Sequence, residues 1–153
     1  MKNAYSSPIL NSFSSINQAL FQLSKEDAER NGLTVPQLKA LYRVSSKPDQ
    51  GLVELAESLK LTNSTVSGIV DRLVKNGLLK RHHQEGDRRA VVINLTEEGE
   101  RKLEDIIQHG SHLVDKLAEI EQLPKEELEQ LFHLHSRILN LLTSQSSTGG
   151  MEQ

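Results

Sequence analysis

A run of short polar and basic side chains in the middle of the chain has the composition of a surface that contacts nucleic acid. From residue 63 to about residue 76, apolar residues recur at helical spacing, so they would share one buried helix face. The opposite face carries hydroxyl and amide groups first and cations further along: Asn63, Ser64, Thr65, Ser67, Arg72 and Lys75. Short side chains let a helix approach base edges in a DNA major groove, and cations meet the flanking phosphates. This face is typical of a recognition helix, and an ordinary solvated helix face is the alternative.

A second candidate contact with DNA is a charged segment between two apolar stretches. The pattern predicts one strand at 78–83 and another at 90–95. Residues 84–89 would then form a glycine-containing hairpin tip that carries Arg88 and Arg89. A flexible tip with adjacent arginines suits insertion into a narrow, electronegative minor groove.

Local signals also predict the elements that hold these two segments. A short amphipathic helix is predicted at 52–59, followed by a turn at Lys60 and Leu61. Thr62 has the residue type of an N-cap for the next helix, which Gly77 would end. Two helices across a tight turn, followed by a hairpin, predict a helix-turn-helix with a wing.

The remaining chain is predicted to be helical. Helices would begin at Pro8 and at the capping box that starts with Thr34. Thr96 would cap one long helix of about 25 residues, which corresponds to about 40 Å. A last helix would begin at Pro124, and residues 144–153 are expected to be frayed. The apolar stripes of these helices have no evident core of their own, so a partner is needed to bury them.

Charge and composition exclude several classes of protein. The net charge is −3, but residues 60–90 hold seven Lys or Arg and three Asp or Glu, hence +4, which leaves −7 for the rest. A basic module on an acidic body can orient a protein on phosphates, although a chance cluster is the alternative. Aromatic residues make up only 3%, which disfavours stacking platforms for single strands. With no cysteine, no long apolar run and no visible secretory signal, we expect a cytoplasmic protein without a membrane partner.

Three short motifs follow the predicted helix-turn-helix at fixed spacing. They are Gly77-Leu78-Leu79-Lys80-Arg81, Asp87-Arg88-Arg89 and Leu95-Thr96-Glu97-Glu98-Gly99. Taken with the order of the helices, these motifs resemble the MarR family of bacterial winged helix-turn-helix regulators, over about residues 13–142. The resemblance implies a mainly α fold with a small β-hairpin wing, that is, a winged helix-turn-helix plus dimerisation helices.

The resemblance also implies a division of the chain by role. The helical dimerisation region would comprise 1–33 and 97–143, the DNA-binding domain 34–96, and a disordered tail 144–153. The family's homodimer interlocks its terminal helices and thereby buries their apolar stripes. Such a dimer would place two recognition helices in successive major grooves, about 34 Å apart, on a pseudo-palindromic operator.

The family's pattern, carried over position by position, assigns roles to the polar residues. The main recognition-helix contacts would be Ser64, Thr65 and Ser67. The secondary candidates would be Asn63, Arg72 and Lys75. Arg88 would enter the minor groove, while Asp87 and Arg89 would form a pair that holds the wing in shape, with Arg89 also close to DNA. A solvated hairpin arginine is the alternative for Arg88.

Many members of the family bind a small anionic aromatic molecule and then release DNA. Their ligand cleft lies between the dimer helices and the winged module. By that resemblance, the candidate wall here comprises Phe13, Leu41, Tyr42 and the start of the helix that Thr96 caps. Plain core packing is the alternative for these side chains.

Two histidines open a further alternative. His109 and His112, with Asp105 one turn earlier, lie at spacings that could place their side chains around one metal ion such as zinc. Scattered surface or interface histidines are the simpler interpretation, so no cofactor is expected.

The catalytic motifs of common enzyme classes are absent from the sequence, including nucleophile elbows, phosphate-binding loops and zinc-protease signatures. We therefore expect no enzyme. The resemblance implies a transcriptional repressor that binds a double-stranded DNA operator as a homodimer and is released by a small-molecule ligand. Two rival hypotheses stay open: a metal-sensing repressor that uses the histidines, and a winged-helix module used for protein interaction.

Overall fold

The computed structural model describes residues 6–84 and 87–144, without the side chains of Gln84, Asp87 and Arg88. The described residues form seven helices and two strands in the order α1 Pro8–Arg30, α2 Val35–Ser46, α3 Leu52–Leu59, α4 Asn63–Lys75, β1 Leu79–Gln84, β2 Asp87–Leu95, α5 Glu97–His109, α6 His112–Ile120 and α7 Lys125–Thr143. The predicted fold class, mainly α with a β-hairpin, is confirmed. The expected tail lies outside the described residues, apart from Ser144.

The first helices begin where their capping residues predict. Pro8 is the first residue of α1, although the side chain of the preceding Ser7 makes no capping hydrogen bond. Before α2, the Thr34 backbone N–H donates to Gln37 Oε1 at 2.9 Å, and the Gln37 backbone N–H donates to Thr34 Oγ1 at 3.4 Å. This reciprocal pair is the predicted capping box.

The helix-turn-helix has the predicted limits. Lys60 ends α3 in the left-handed conformation, with φ at 55°, so the chain turns sharply before α4. Thr62 Oγ1 then accepts a hydrogen bond from the Thr65 backbone N–H at 3.3 Å and caps α4. At the other end of α4, Gly77 adopts a φ of +73°, which glycine tolerates without steric cost. The Leu78 N–H bonds back to the Leu73 carbonyl at 2.9 Å and closes the helix.

The hairpin is longer than predicted. Strands were expected at 78–83 and 90–95, but Gln84 pairs with Asp87, so the backbone of 87–89 belongs to β2 and not to the tip. Pairing continues because backbone hydrogen bonds need no apolar side chains where a ribbon extends into solvent, and periodicity therefore underestimated its length. The register is irregular between His83 and Gln84, as in a bulge.

One core supports the wing and the helix-turn-helix. Its largest fully buried side chains include Leu41 of α2, Leu55 of α3, Leu73 of α4, Ile93 of β2 and Ile106 of α5. All of them belong to the first of two compact units, residues 1–114 and 115–153. Burying such side chains contributes about 1.5–3 kcal/mol each, so this core fixes the positions of the contact segments.

The predicted single long helix after Thr96 is wrong, because the chain breaks into α5 and α6 at Gly110 and Ser111. Ser111 Oγ accepts from the Val114 backbone N–H at 3.1 Å and caps α6. Asp27 of α1 accepts from the backbone N–H of His112 at 2.8 Å and from that of Leu113 at 3.1 Å. A carboxylate at a helix start satisfies unpaired N–H groups and favours the positive end of the dipole. It therefore stabilises a new helix start here.

Several apolar side chains outside this core are exposed. Ile9 and Phe21 of α1 are 66% and 52% exposed, and Phe132 and Leu141 of α7 are 63% and 77% exposed. No residue of α7 is buried. Among the described residues, no helix combines the length and the apolar character that crossing a bilayer requires. Contiguous exposed apolar side chains on helices are typical of surfaces that a partner covers.

Candidate nucleic-acid interface

The recognition-helix prediction divides α4 into two faces, and the structure places the side chains accordingly. Val66, Val70 and Leu73 have no exposed surface, which fixes the rotation of the helix about its axis. On the other side, the exposed predicted contacts are Asn63, Ser64, Thr65, Arg72 and Lys75. Ser67 is half-buried, because it lies at the border between the two faces. The predicted residues are therefore brought together on one surface of one rigid helix.

Hydroxyl groups at the start of α4 contact one another. Thr62 Oγ1 lies 2.8 Å from Thr65 Oγ1 and 3.3 Å from Ser64 Oγ. The Thr65 hydroxyl therefore has a partner within the protein, the same Thr62 side chain that caps the helix. Sequence reasoning did not predict this contact. Ser64 and Thr65 are thereby held at the N-terminal end of the helix, the end that in helix-turn-helix proteins contacts base edges.

Gly68 lies on the same surface, one turn after Ser64 and one turn before Arg72. Among the described residues, a Cβ added at this position would meet no atom within 4 Å outside the backbone of its own helix. Glycine inside a helix costs about 0.5–1 kcal/mol relative to alanine, and no packing contact of the described residues requires it here. The missing side chain leaves a shallow depression in the middle of the polar face, where another molecule can approach the helix backbone.

An ion pair joins α4 to the wing. Arg81 Nη1 of β1 donates to Asp71 Oδ1 of α4 at 2.6 Å. Both side chains are partly exposed, so the pair contributes at most about 1 kcal/mol to stability. Its geometric effect is to connect the strand of the wing to the helix beside it. Sequence reasoning counted Asp71 only as a charge and Arg81 as a charge and a motif residue, and it did not predict that the two would pair.

A second set of bonds anchors the base of the wing. Asp49, in the loop before α3, donates its backbone N–H to Asn94 Oδ1 at 2.8 Å, and Asn94 Nδ2 donates to Asp49 Oδ1 at 2.7 Å. The next residue, Gln50, pairs its backbone with Ile93 of β2. The Gln50 side chain donates to the carbonyls of Arg43 and Lys47 at the end of α2. These contacts join the hairpin to the loop between α2 and α3 and, through Gln50, to the end of α2.

The motif that begins at Leu95 connects the recognition helix to α5. Thr96 Oγ1 donates to the carbonyl of Gly77 and accepts from the backbone N–H of Gly99 at 3.0 Å. A Cβ at Gly99 would lie 2.1 Å from the carbonyl oxygen of Leu78, far inside contact distance. The motif therefore needs threonine and glycine at these positions to pack α5 against the segment that follows α4.

The predicted contacts of the wing are only partly described. Arg89 is exposed on β2. The side chains of Asp87 and Arg88 lie outside the described residues, so the minor-groove role of Arg88 and the Asp87–Arg89 pair stay predictions.

The predicted ligand wall is distributed over different environments. Leu41 is 0% exposed and belongs to the core, while Phe13 is half-buried on α1. Tyr42 is half-buried, and its hydroxyl is buried without a hydrogen-bond partner of normal geometry among the described residues. Burial raises the pKa of this hydroxyl, nearby Ser111 acts in the opposite direction, and the charge of Asp27 raises the pKa further.

The two candidate metal ligands have different partners. His109 Nδ1 lies 3.2 Å from Asp105 Oδ1 on α5. His112 begins α6 and contacts α1, with its ring nitrogens 2.8 and 3.2 Å from the Arg30 guanidinium and 3.6 Å from Glu26. Within the described part of the chain, no three His, Asp or Glu side chains are arranged to hold a metal ion.

Comparison with known proteins places these features in a family. A family model described as the MarR family matches residues 33–91. A Bacillus subtilis protein described as the uncharacterized HTH-type transcriptional regulator YfiV is 33% identical over 100 residues, which cover 65% of this chain and 61% of that protein. The HTH-type transcriptional repressor MdtR of Bacillus subtilis is 30% identical over 125 residues, which cover 79% of each chain. The structure of a mutant MarR from E. coli complexed with operator DNA is similar with a TM-score of 0.70 and 26% identity, over 86% of this chain and 94% of that one.

Proposed function

Because the chain belongs to the MarR family of DNA-binding transcriptional regulators, we propose that it is a repressor that binds a pseudo-palindromic DNA operator as a homodimer and leaves it when a small ligand binds. Members of this family regulate transcription and are not enzymes. The observation that carries the proposal is the exposed polar face of α4 beside the wing, held in place by three side chains without exposed surface.

In the proposed complex, α4 enters a major groove and the wing reaches the adjacent minor groove. Ser64, Thr65 and Ser67 face base edges near the N-terminal end of the helix, and Gly68 lets its backbone come close. Asn63, Arg72 and Lys75 meet flanking groups, chiefly phosphates. Arg88 enters the minor groove, while Asp87 and Arg89 hold the wing. Residues 34–96 are thus the DNA-binding domain of the proposal.

The exposed apolar side chains support the homodimer. The proposed dimerisation region is residues 1–33 and 97–143. It includes α1 and α7, whose apolar side chains are exposed in their own units. An isologous contact between two copies buries the same patches on both subunits and gives a two-fold axis. A two-fold axis explains why the operator is proposed to be pseudo-palindromic.

Release by a ligand requires that the ligand bind the two states of the dimer with different affinity. DNA binds best when the spacing of the two α4 helices fits successive major grooves. A ligand that binds better to a dimer with another spacing lowers the affinity for DNA, and DNA lowers the affinity for the ligand by the same factor. The relative named as a repressor supports repression as the proposed effect on transcription.

Selection of bound duplexes from random DNA tests the proposal, with light scattering of the DNA-free protein to measure its mass. The proposal predicts a dimer and an enriched inverted repeat whose half-sites lie about one helical turn apart. A monomer with a single enriched half-site would refute the dimer. Failure to enrich any sequence would instead support a winged-helix module that binds protein.

A further inference from the structure

A cleft of about 530 Å³ lies inside the first unit, between α2 and the C-terminal end of α3. One face of α2 supplies Lys39, Tyr42, Arg43 and Ser46, and the end of α3 supplies Ser58, Leu59 and Lys60. Its volume falls within the range of small-molecule sites. Apart from Tyr42, these residues are not those of the ligand wall that the family resemblance implied.

The charge of this cleft has one sign. It contains two lysines and one arginine, and no aspartate or glutamate of the described residues lines it. In the described part of the chain, Lys39, Arg43 and Lys60 form no ion pair, so no acidic side chain there neutralises them. Lys39 and Arg43 are four residues apart on one helix, a spacing at which like charges destabilise each other. A bound anion would remove that repulsion.

The other side chains that line the cleft limit which anions it could bind. The hydroxyls of Ser46 and Ser58 donate to carbonyls of their own helices, at 3.0 and 2.8 Å, so their protons already have acceptors within the protein. Binding must then depend on the three cations, which favours an anion with more than one negative charge. The arginine can bind two oxygens of one phosphate or carboxylate group through its planar fork. Leu59 and the Tyr42 ring give the cleft an apolar part beside these cations.

We propose that this cleft binds a compact anion with two or more negative charges, such as a phosphorylated or polycarboxylate metabolite, held by Lys39, Arg43 and Lys60. A recessed site suits a small molecule better than duplex DNA, whose phosphates lie on a convex surface. Tyr42 connects the cleft to the junction of α5 and α6, since its buried hydroxyl lies near Ser111 and Asp27. If the chain is the ligand-responsive repressor proposed above, this anion is its effector, and that role alone depends on the proposed function.

The test uses the DNA-free full-length protein and tyrosine fluorescence. The chain has two tyrosines and no tryptophan, so a Tyr5→Phe protein leaves Tyr42 as its single reporter. Titration with inorganic pyrophosphate, and separately with citrate, is expected to change the emission with saturation. Lys39→Gln and Arg43→Gln are each expected to weaken binding at least about tenfold. Lys116→Gln, which removes the same charge from the second unit, is the matched control and is expected to bind as the parent does.

Three results would overturn the site. They are a response without saturation for both anions, an equal loss of binding in the control, and loss of operator affinity rather than anion affinity in Lys39→Gln. The last result would make these cations DNA contacts. Circular dichroism of each variant establishes that it is folded. If the protein binds pyrophosphate with saturation but selects no operator from random DNA, the anion site is supported and the proposed repressor function is refuted.

Discussion

Asp27 and Ser111 are 84 residues apart in sequence, yet Ser111 Oγ donates a hydrogen bond to Asp27 Oδ2 at 2.8 Å, and both residues are buried. Two backbone N–H groups of α6 donate to the same carboxylate, so one acidic side chain of α1 accepts three hydrogen bonds where α5 ends and α6 begins. This contact stabilises the start of α6 at the point where the expected long helix breaks.

The Asp27→Asn substitution tests the strength of this cap. Asparagine keeps the shape but replaces one acceptor oxygen by an NH₂ group, which faces donors at a buried site. We expect a loss of about 1–3 kcal/mol in the free energy of unfolding, measured by urea denaturation. Asp105→Asn, at an exposed carboxylate of α5, is the control and is expected to change stability by less than about 0.5 kcal/mol. Equal effects of the two substitutions would contradict the assigned role of Asp27.

Gly99→Ala tests the close approach of α5 to the segment after α4. The added methyl group would overlap the Leu78 carbonyl, and backbone cannot move aside as a flexible side chain would. A destabilisation of about 1–3 kcal/mol or more is expected, measured as a lower midpoint of thermal unfolding. Gly110→Ala is the matched control, because a Cβ there meets nothing within 4 Å. A Gly99→Ala protein as stable as the control would show that the close approach is absent in solution.

Gly68→Ala separates stability from DNA binding. The substitution should stabilise the fold by about 0.5–1 kcal/mol, since alanine favours a helix and the site has open space. If a groove approaches the helix at this point, the same methyl group should weaken operator binding by about tenfold, the order of one lost base contact. Fluorescence anisotropy with a labelled operator measures the affinity. A stabilised variant with undiminished affinity would exclude Gly68 from the interface.

The buried Tyr42 hydroxyl predicts a pH dependence. Because burial raises its pKa above the ordinary value of 10.0, folding favours the neutral phenol. That contribution is fully present below pH 10 and is lost as the pH rises through the higher folded pKa. We expect Tyr42→Phe to change stability little at neutral pH, since the hydroxyl has no good partner, and to lose less stability than the parent in alkaline solution. Parallel loss in both proteins up to about pH 11 would remove Tyr42 as the cause.

Local signals in the sequence predicted much of this structure. Thr34, Thr62 and Gly77 act on residues within one or two turns, and their residue types have few alternative explanations, so the helix limits near them were correct. The Asp27 cap could not be predicted in this way, because its carboxylate and its N–H partners meet only through tertiary folding. The longer hairpin was missed for another reason, since its outer part is held by backbone pairing that side-chain periodicity does not register.

In the candidate site, too, the features set by local sequence were predicted and those set by tertiary contacts were not. The polar face of α4 follows from helical spacing alone, and each predicted residue lies there or at its border. The ion pair between Asp71 and Arg81 depends on how α4 and β1 are placed next to each other, which neither residue reveals in sequence. Gly68 can be assigned to the interface only from the structure, because the sequence does not show that the space around it is open.

The most direct test of the central claim measures the affinity for the selected operator and for a scrambled duplex at one salt concentration. The parent should prefer the operator by about a thousandfold or more. Base contacts specify the sequence while phosphate contacts only position the protein. A double variant, Ser64→Ala with Ser67→Ala, should therefore lose about tenfold or more of that preference and keep its affinity for the scrambled duplex. Equal changes for both duplexes, or no change for either, would contradict recognition of DNA by this face of α4.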